Sequence, residues 1–233
     1  SNVVTISITP ALLGGTAKAT PSSVCKGTTT TIKLSGHTGS QIQWQTNESG
    51  SYVDIAGEKD SILITPSLSI ATNYRAHVNG SGCPQVTSTV ASVSIIPLSV
   101  GGVVNAAPST ICSGETSTLT LSGNVGTIQW QSDETGVFDN IPGQTGQSYT
   151  TSPLTGSTSY QAIVTSGSCA SDKSTTTLVS VVPSSVSGFA KATPSTVCNG
   201  GTSKLSLTGY VGDKIQWQSD ATGVFTDIPG ATN

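Results

Sequence analysis

The residues of this sequence with the clearest capacity for covalent chemistry are its five cysteines: Cys25, Cys83, Cys112, Cys169 and Cys198. The first, third and fifth recur at spacings of 87 and 86 residues, and the other two are 86 residues apart. We expect the bridges Cys25–Cys83 and Cys112–Cys169, each tying the first turn of a unit to its last hairpin at one pole, with Cys198 unpaired. Each bridge would close a loop of nearly sixty residues, which the chain-entropy model equates with roughly 4 kcal/mol. Such bridges require an oxidising, extracytoplasmic setting.

Carboxylates near the tryptophans offer a second kind of chemistry, calcium binding. The candidates are Asp133, Glu134, Asp139, Asp220 and Asp227. Calcium takes six to eight oxygen ligands, whereas the equivalent positions elsewhere in the chain include Asn, Ala, Val and Thr. The pattern favours turn-capping residues, so we expect no cofactor or bound metal, with calcium as the alternative.

The residue types needed for catalysis or cross-linking do not recur. Both histidines, His37 and His77, lie in the first third of the chain and have no later counterparts. Lys18 and Lys191 occupy equivalent positions that would suit an isopeptide bond, but Asn105 replaces them in between. A repeated array is expected to repeat its site. The sequence therefore predicts no catalytic residues and no enzyme activity.

A ten-residue phrase, present three times, shows which elements must position these side chains. It reads "QWQTNESGSY" at 43–52, "QWQSDETGVF" at 129–138 and "QWQSDATGVF" at 216–225. Within it Trp44, Trp130 and Trp217 each stand in an alternating apolar–polar strand, beside an isoleucine of the same face. We predict that these tryptophans, with Tyr74 and Tyr160 from a later strand, form the core. Stacking of the tryptophans on sugars is the alternative.

Composition and turn signals predict the fold. Only 9% of residues are charged and Met is absent, which favours strands over amphipathic helices. Each unit of about 86 residues reads as some seven short strands around one core tryptophan. The fold prediction is all-β, with tandem immunoglobulin-like antiparallel β-sandwich repeats. Short joints containing Pro and Gly, at 95–108 and 181–194, predict an extended rod.

Repeat boundaries follow from the same period. We expect residues 1–10 to be the last strand of a preceding repeat, 11–97 the first repeat and 98–183 the second. Residues 184–233 are expected to be the N-terminal part of a truncated third repeat. The chain then represents a window on a longer array.

Charge and hydropathy limit the kinds of partner that this chain can have. The net charge is −3, and the nine Lys and Arg residues are scattered, so no nucleic-acid partner is expected. Apolar stretches are too short for a transmembrane segment. Neighbouring repeats of the same chain are the partners that the array predicts.

A larger pattern resembles a known class of repeats. Trp-Gln-x-[Asp/Asn]-x-[Thr/Ser]-Gly-x-[Phe/Tyr]-x-[Asp/Asn]-Ile-x-Gly occurs in all three units, with a preceding Cys, the Tyr of "NYRA" or "SYQA", and a Cys after the hairpin. It is similar to the Ig-like repeats of giant Bacteroidota surface proteins, most of all the SprB-type gliding-motility adhesins. The resemblance implies export by type IX secretion and an extracellular, outer-membrane-attached filament. It also implies a motility machinery and substratum polysaccharide or surface ligands as partners.

Three functions remain open at this point. The first is a non-catalytic, disulfide-stabilised adhesive stalk for surface attachment and gliding. The second is a glycan- or protein-binding module with its site in the loops at one pole, against which the lack of a repeated exposed aromatic cluster counts. The third is a set of spacer repeats attached to a secreted multidomain enzyme.

Overall fold

A computed structural model describes Val4, Ile8 and residues 10–80, 82–221 and 223–232. The strand expected over residues 1–10 therefore lies almost wholly outside the described residues. In the described ranges every regular element is a β-strand, and the strands fall into three groups along the chain.

The first group forms the first repeat. Its strands are β1 (Thr16–Thr20), β2 (Ser23–Cys25), β3 (Thr31–Ser35), β4 (Gln41–Thr46), β5 (Val53–Asp54), β6 (Ile62–Ile64), β7 (Thr72–Gly80), β8 (Cys83–Thr87) and β9 (Ala91–Ile96). One sheet has the order β1-β3-β6, and the other has the order β2-β9-β7-β4-β5 with β8 on β7. The β2–β9 pair is parallel and the other pairs are antiparallel. Between β1 and β2 the chain crosses from one sheet to the other at the Thr20–Pro21 bond, which is cis.

The second repeat has the same architecture. Its strands are β10 (Val103–Ala107), β11 (Thr110–Cys112), β12 (Thr118–Ser122), β13 (Thr127–Ser132), β14 (Asp139–Asn140), β15 (Ser148–Thr150), β16 (Thr158–Thr165), β17 (Asp172–Lys173) and β18 (Thr177–Val182). The sheets have the orders β10-β12-β15 and β11-β18-β16-β13-β14, with β17 on β16. The all-β prediction of tandem immunoglobulin-like sandwiches is thus confirmed.

Alternation along the strands builds a core in each repeat. β3 has the burial pattern exposed-buried-exposed-buried-exposed, which places Ile32 and Leu34 inward, because successive side chains of a strand point to opposite faces. Trp44 and Trp130 have no exposed surface, and Tyr74 and Tyr160 are 1% and 2% exposed. Each repeat therefore closes its two sheets over one tryptophan and one tyrosine.

The third group covers residues 184–232 and differs from the other two. It has β19 (Phe189–Thr193), β20 (Lys204–Thr208), β21 (Gln216–Ser219) and β22 (Thr226–Thr232), paired as β19-β20 and β21-β22. Trp217 is only partly buried, so its predicted core position requires correction. The physical reason is that nothing in the described part of this group corresponds to β16, the strand that pairs with β13 in the second repeat. Without that strand no closed sandwich forms around Trp217.

Candidate functional site: the joint between the repeats

The repeated phrase around the tryptophans has a structural role, because its glutamine side chains stabilise a hairpin. Gln129 donates from Nε2 to the carbonyls of Trp130 at 3.0 Å and Ile141 at 2.8 Å. Gln131 donates from Nε2 to Oδ1 of Asn140 at 2.9 Å. The bonds to Ile141 and Asn140 cross the hairpin that joins β13 to β14. The two glutamines that flank the tryptophan therefore fix this hairpin through their side chains.

The same bonds recur in the other two copies. Gln43 contacts the carbonyls of Trp44 and Ile55 at 3.1 and 2.7 Å, and Gln216 contacts those of Trp217 and Ile228, both at 2.9 Å. Gln45 and Gln218 donate to Oδ1 of Asp54 and Asp227, both at 2.8 Å. Sequence reasoning placed these glutamines on the polar face of the strand but did not foresee their bonds.

The carboxylates considered for calcium serve mostly as hydrogen-bond acceptors in turns. Oδ1 of Asp133 accepts from the backbone N–H of Ser159 at 2.6 Å, and Oδ2 of Asp139 accepts from Thr135 Oγ1 at 3.1 Å. Glu134 is exposed. Among the described residues no three His, Cys, Asp or Glu side chains come together in a way that could hold a metal ion.

The candidate catalytic and cross-linking residues lie apart from one another. His77 Nδ1 is 3.0 Å from Thr87 Oγ1 on the sheet surface, and burial lowers the pKa of His77, with Arg75 adding to the effect. His37 follows β3, outside that sheet. Lys18 on β1 lies opposite Lys33 on β3, which offers no carboxyl or amide partner for an isopeptide bond.

The disulfide of this structure joins the two repeats. Cys25 is bonded to Cys169, with their Cα atoms 5.7 Å apart and a sequence separation of 144 residues. This corrects the expected pairs Cys25–Cys83 and Cys112–Cys169. Cys112 is half-buried and has a free thiol, and the Sγ of Cys83 contacts the carbonyl of Pro10 at 3.8 Å. Cys198 is an exposed free thiol.

Strand direction explains why the pairing is between repeats. Cys25 ends β2 beside Ile96, the last residue of β9, and so lies at the pole facing the second repeat. Cys83 follows the far end of β7, whose first residues pair with β9. β7 has nine residues, so its ends are roughly 25–30 Å apart. A disulfide requires Cα atoms within about 7 Å, which excludes a bridge from pole to pole.

The hairpin between β16 and β17 brings Cys169 to the joint. Gly167, in that hairpin, has a φ of +54°, and a Cβ at this position would lie 3.1 Å from Cγ2 and 3.2 Å from Cδ1 of Ile96. The neighbouring Ser166 donates from its backbone N–H to Ser99 Oγ at 2.9 Å. The joint therefore combines a covalent bond, an apolar contact and a hydrogen bond within one small area.

The segment between the repeats is itself bound to the second repeat. Val100 and Val125 exchange backbone hydrogen bonds of 3.2 and 3.0 Å. The N–H of Gly101 donates to Oδ2 of Asp172 at 2.8 Å. Two connections, the linker and the disulfide, thus tie the first repeat to one pole of the second. Sequence reasoning missed Ile96, Gly167 and these linker contacts, because spacing alone does not show which poles meet.

Replacing Gly167 by Ala should loosen the joint. An alanine there must adopt a left-handed backbone and press on Ile96, whereas the control Gly136→Ala has a φ of +87° and no atom within 4 Å. We expect Gly167→Ala to destabilise the chain by about 1 kcal/mol more than Gly136→Ala, because only the first overpacks a contact. Urea unfolding measures both. Adding Ile96→Ala should remove the excess, and equal costs for the two glycine variants would contradict the packing role.

Alkaline pH should weaken the second repeat through Tyr160. Burial raises the pKa of Tyr160 to about 12, with Tyr149 adding to the effect, whereas an unfolded tyrosine titrates near pH 10. Because the pKa is higher in the folded state, the contribution of neutral Tyr160 to stability is complete below pH 10. Between pH 10 and 12 the tyrosine ionises more readily in the unfolded state, so the free energy of unfolding should fall by about 2–3 kcal/mol. Thermal unfolding of Tyr160→Phe between pH 9 and 11.5 should show a smaller fall in Tm than the parent. An identical fall would refute this assignment.

Comparison with known families identifies both repeats. Residues 13–97 and 100–183 each match the family model described as "Domain of unknown function (DUF8696)". The two matched ranges together make up more than half of the chain, and each spans one sandwich. No curated protein matches the chain.

Several solved structures are similar to this chain at low sequence identity. A chain of the "mouse coronavirus receptor-binding domain complexed with its murine receptor" is 12% identical, with a TM-score of 0.50, covering 72% of this chain and 99% of that one. The "1.5-MDa bacterial ice-binding adhesin" is 13% identical over 78% of this chain and 69% of that one, with a TM-score of 0.43. Titin domains A168–A170 are 13% identical over 72% and 62%, with a TM-score of 0.44. At such identities the likeness concerns the fold alone. In the described part of the chain, no helix has the length and apolar character to cross a membrane.

Proposed function

Because the chain belongs to the family described as "Domain of unknown function (DUF8696)", with two consecutive copies, we propose that it is a non-catalytic stalk displayed outside the cell. The observation that carries this proposal is the Cys25–Cys169 bond across the joint. A bond between two repeats limits their relative rotation and transmits tension from one sandwich to the next. Both effects suit a load-bearing filament.

An extended shape agrees with this role. The chain exposes 14461 Å², whereas a compact monomer of its size exposes about 9,700 Å². Open strands in residues 184–232 and an end-to-end order of the repeats both raise the exposed area. Repeats that contact only their neighbours can build a long, curved structure from one short sequence unit. We therefore propose an extended rod built from the repeats at 11–97 and 98–183 and continued by residues 184–233.

The same bond supports an extracellular location. A disulfide persists in oxidising compartments and is rare in the cytosol. The similarity of the repeated phrase to SprB-type adhesins of Bacteroidota adds a finer proposal. The stalk would be exported by type IX secretion, attached at the outer membrane, and moved by a gliding motor while it adheres to the substratum. Polysaccharides or other surface ligands would be the partners of adhesion.

A fluorescent antibody against the repeats, applied to live and intact cells of the source organism, tests this function. We expect a surface signal that travels along the cell body. A static surface signal would retain the stalk and reject the gliding role. Absence of any signal, when the same antibody binds the purified chain, would reject surface display.

A further inference from the structure

The second repeat carries, at its far pole, a copy of the surface that receives Cys169 on the first. Cys112 ends β11 opposite Val182 of β18, as Cys25 ends β2 opposite Ile96 of β9. The N–H of Ser113 donates to the carbonyl of Val182 at 2.9 Å, which matches the 2.9 Å bond from residue 26 to Ile96. The two poles are therefore equivalent in strand pairing and in the placement of the cysteine.

What differs is the extent to which the two surfaces are covered. Ile96 is half-buried and lies under Gly167, whereas its counterpart Val182 is 43% exposed. Cys112 has a free thiol. Beside it lies an open cavity of about 520 Å³, which is lined by Ser113, Val182 and Pro183 and, on another side, by Val186 and Val211 of the third group. The second surface thus has the equivalent cysteine, a more exposed apolar residue and open space beside them.

We propose that this surface is a docking site for a further copy of the repeat, and specifically for the hairpin equivalent to residues 166–171. Cys112 would form a disulfide with the second cysteine of that hairpin. The reason is continuity with the observed interface, where the same hairpin sits on the same strands one repeat earlier. The hairpin "SGSCAS" suits the cavity, because its small residues permit close approach to Val182.

The bond forms by ordinary thiol chemistry. The two thiols lose their protons, their Sγ atoms join, and the two electrons pass to a disulfide oxidant such as oxidised glutathione, which is reduced to two thiols. Docking at this surface does not depend on where the protein resides in the cell. A test of disulfide formation at Cys112 and the antibody experiment on cells can therefore fail independently.

Extending the chain beyond Asn233 provides the test. Asn233 aligns with Gly146, so appending a copy of residues 147–183 after Asn233 completes a third unit with its own second cysteine. The extended chain is refolded in a glutathione buffer and digested, and its disulfides are mapped by mass spectrometry. We expect the appended copy of Cys169 in a peptide linked to Cys112, next to the native Cys25–Cys169 link. A link from the appended cysteine to Cys198, or no link at all, would overturn the proposal.

Two controls separate docking from chance oxidation. With Ser in place of the appended cysteine, Cys112 should remain fully open to alkylation. Val182→Asp in the extended chain should lower the fraction of Cys112 in the new bond at least several-fold. Val137→Asp, at a valine that is 67% exposed in the Trp130 hairpin, should leave it unchanged. If Val182→Asp and Val137→Asp lowered the bonded fraction of Cys112 equally, the bond would not require this surface, and the docking site would be rejected.

Discussion

Cutting the chain between its two repeats should leave the halves covalently joined until a reductant is added. Leu98 is 54% exposed in the linker, so a protease site inserted after it is accessible. The Cys25–Cys169 bond spans that cut. On a denaturing gel the cut protein should therefore migrate as one species without reductant and as two species with it.

Pairing within the repeats would give the opposite result. A Cys25–Cys83 or Cys112–Cys169 bridge lies wholly on one side of the cut, so the halves would separate under denaturing conditions even without reductant. The control Cys169→Ser should also separate without reductant. If the parent separated as that variant does, the bond across the joint would be refuted.

The same bond should influence stability as well as connectivity. For a loop of 144 residues the chain-entropy model gives about 5 kcal/mol. When either repeat unfolds alone, its unfolded segment forms a shorter loop that stays tethered to the folded neighbour. The stabilisation by the disulfide is therefore shared between the two repeats. Cys169→Ser should therefore lower the unfolding transitions of both repeats, whereas with a Cys112–Cys169 bridge this substitution would act on the second repeat alone.

The core could be read from the sequence because it depends on local alternation. Ile32 and Leu34 alternate with polar residues, and strand geometry alone places them on one face. The period of about 86 residues then transfers each assignment to the second repeat. Trp217 departed from this rule since burial also requires a covering strand, and alternation within β21 carries no information about that strand.

The cysteine pairing could not be read in the same way. A period of about 86 residues places Cys83 and Cys169 at equivalent positions, so pairing within a repeat and pairing with the next repeat agree equally with the spacing. Only the direction and length of β7 decide between them, because they put Cys83 at the pole opposite Cys25. The positions of Ile96 and Gly167 at the joint follow from that geometry as well. A repeat therefore predicts which residues are equivalent, whereas the fold determines which of them are adjacent.

Trp130→Ala should be the most destabilising single substitution in the second repeat. Trp130 has no exposed surface, its ring centroid is 6.1 Å from that of Tyr149, and its Nε1 donates to the carbonyl of Gly146 at 2.9 Å. Removing a large core aromatic costs about 3–5 kcal/mol. Hydrogen exchange resolved by peptide should show faster exchange concentrated in the strands of the second repeat, β10–β18, with a smaller change in the first.

Trp217→Ala is the matched control, because it removes the same residue from the same phrase. Trp217 is only partly buried, so its loss should cost clearly less than the loss of Trp130. The difference between the two variants then measures the contribution of the closed sandwich around the indole. If Trp130→Ala unfolded at the same urea concentration as the parent, the indole would not be a core residue, and the sugar-stacking alternative would regain support. If the two variants were equally destabilised, closure of the sandwich would add nothing to the contacts that the tryptophan makes within its own hairpin.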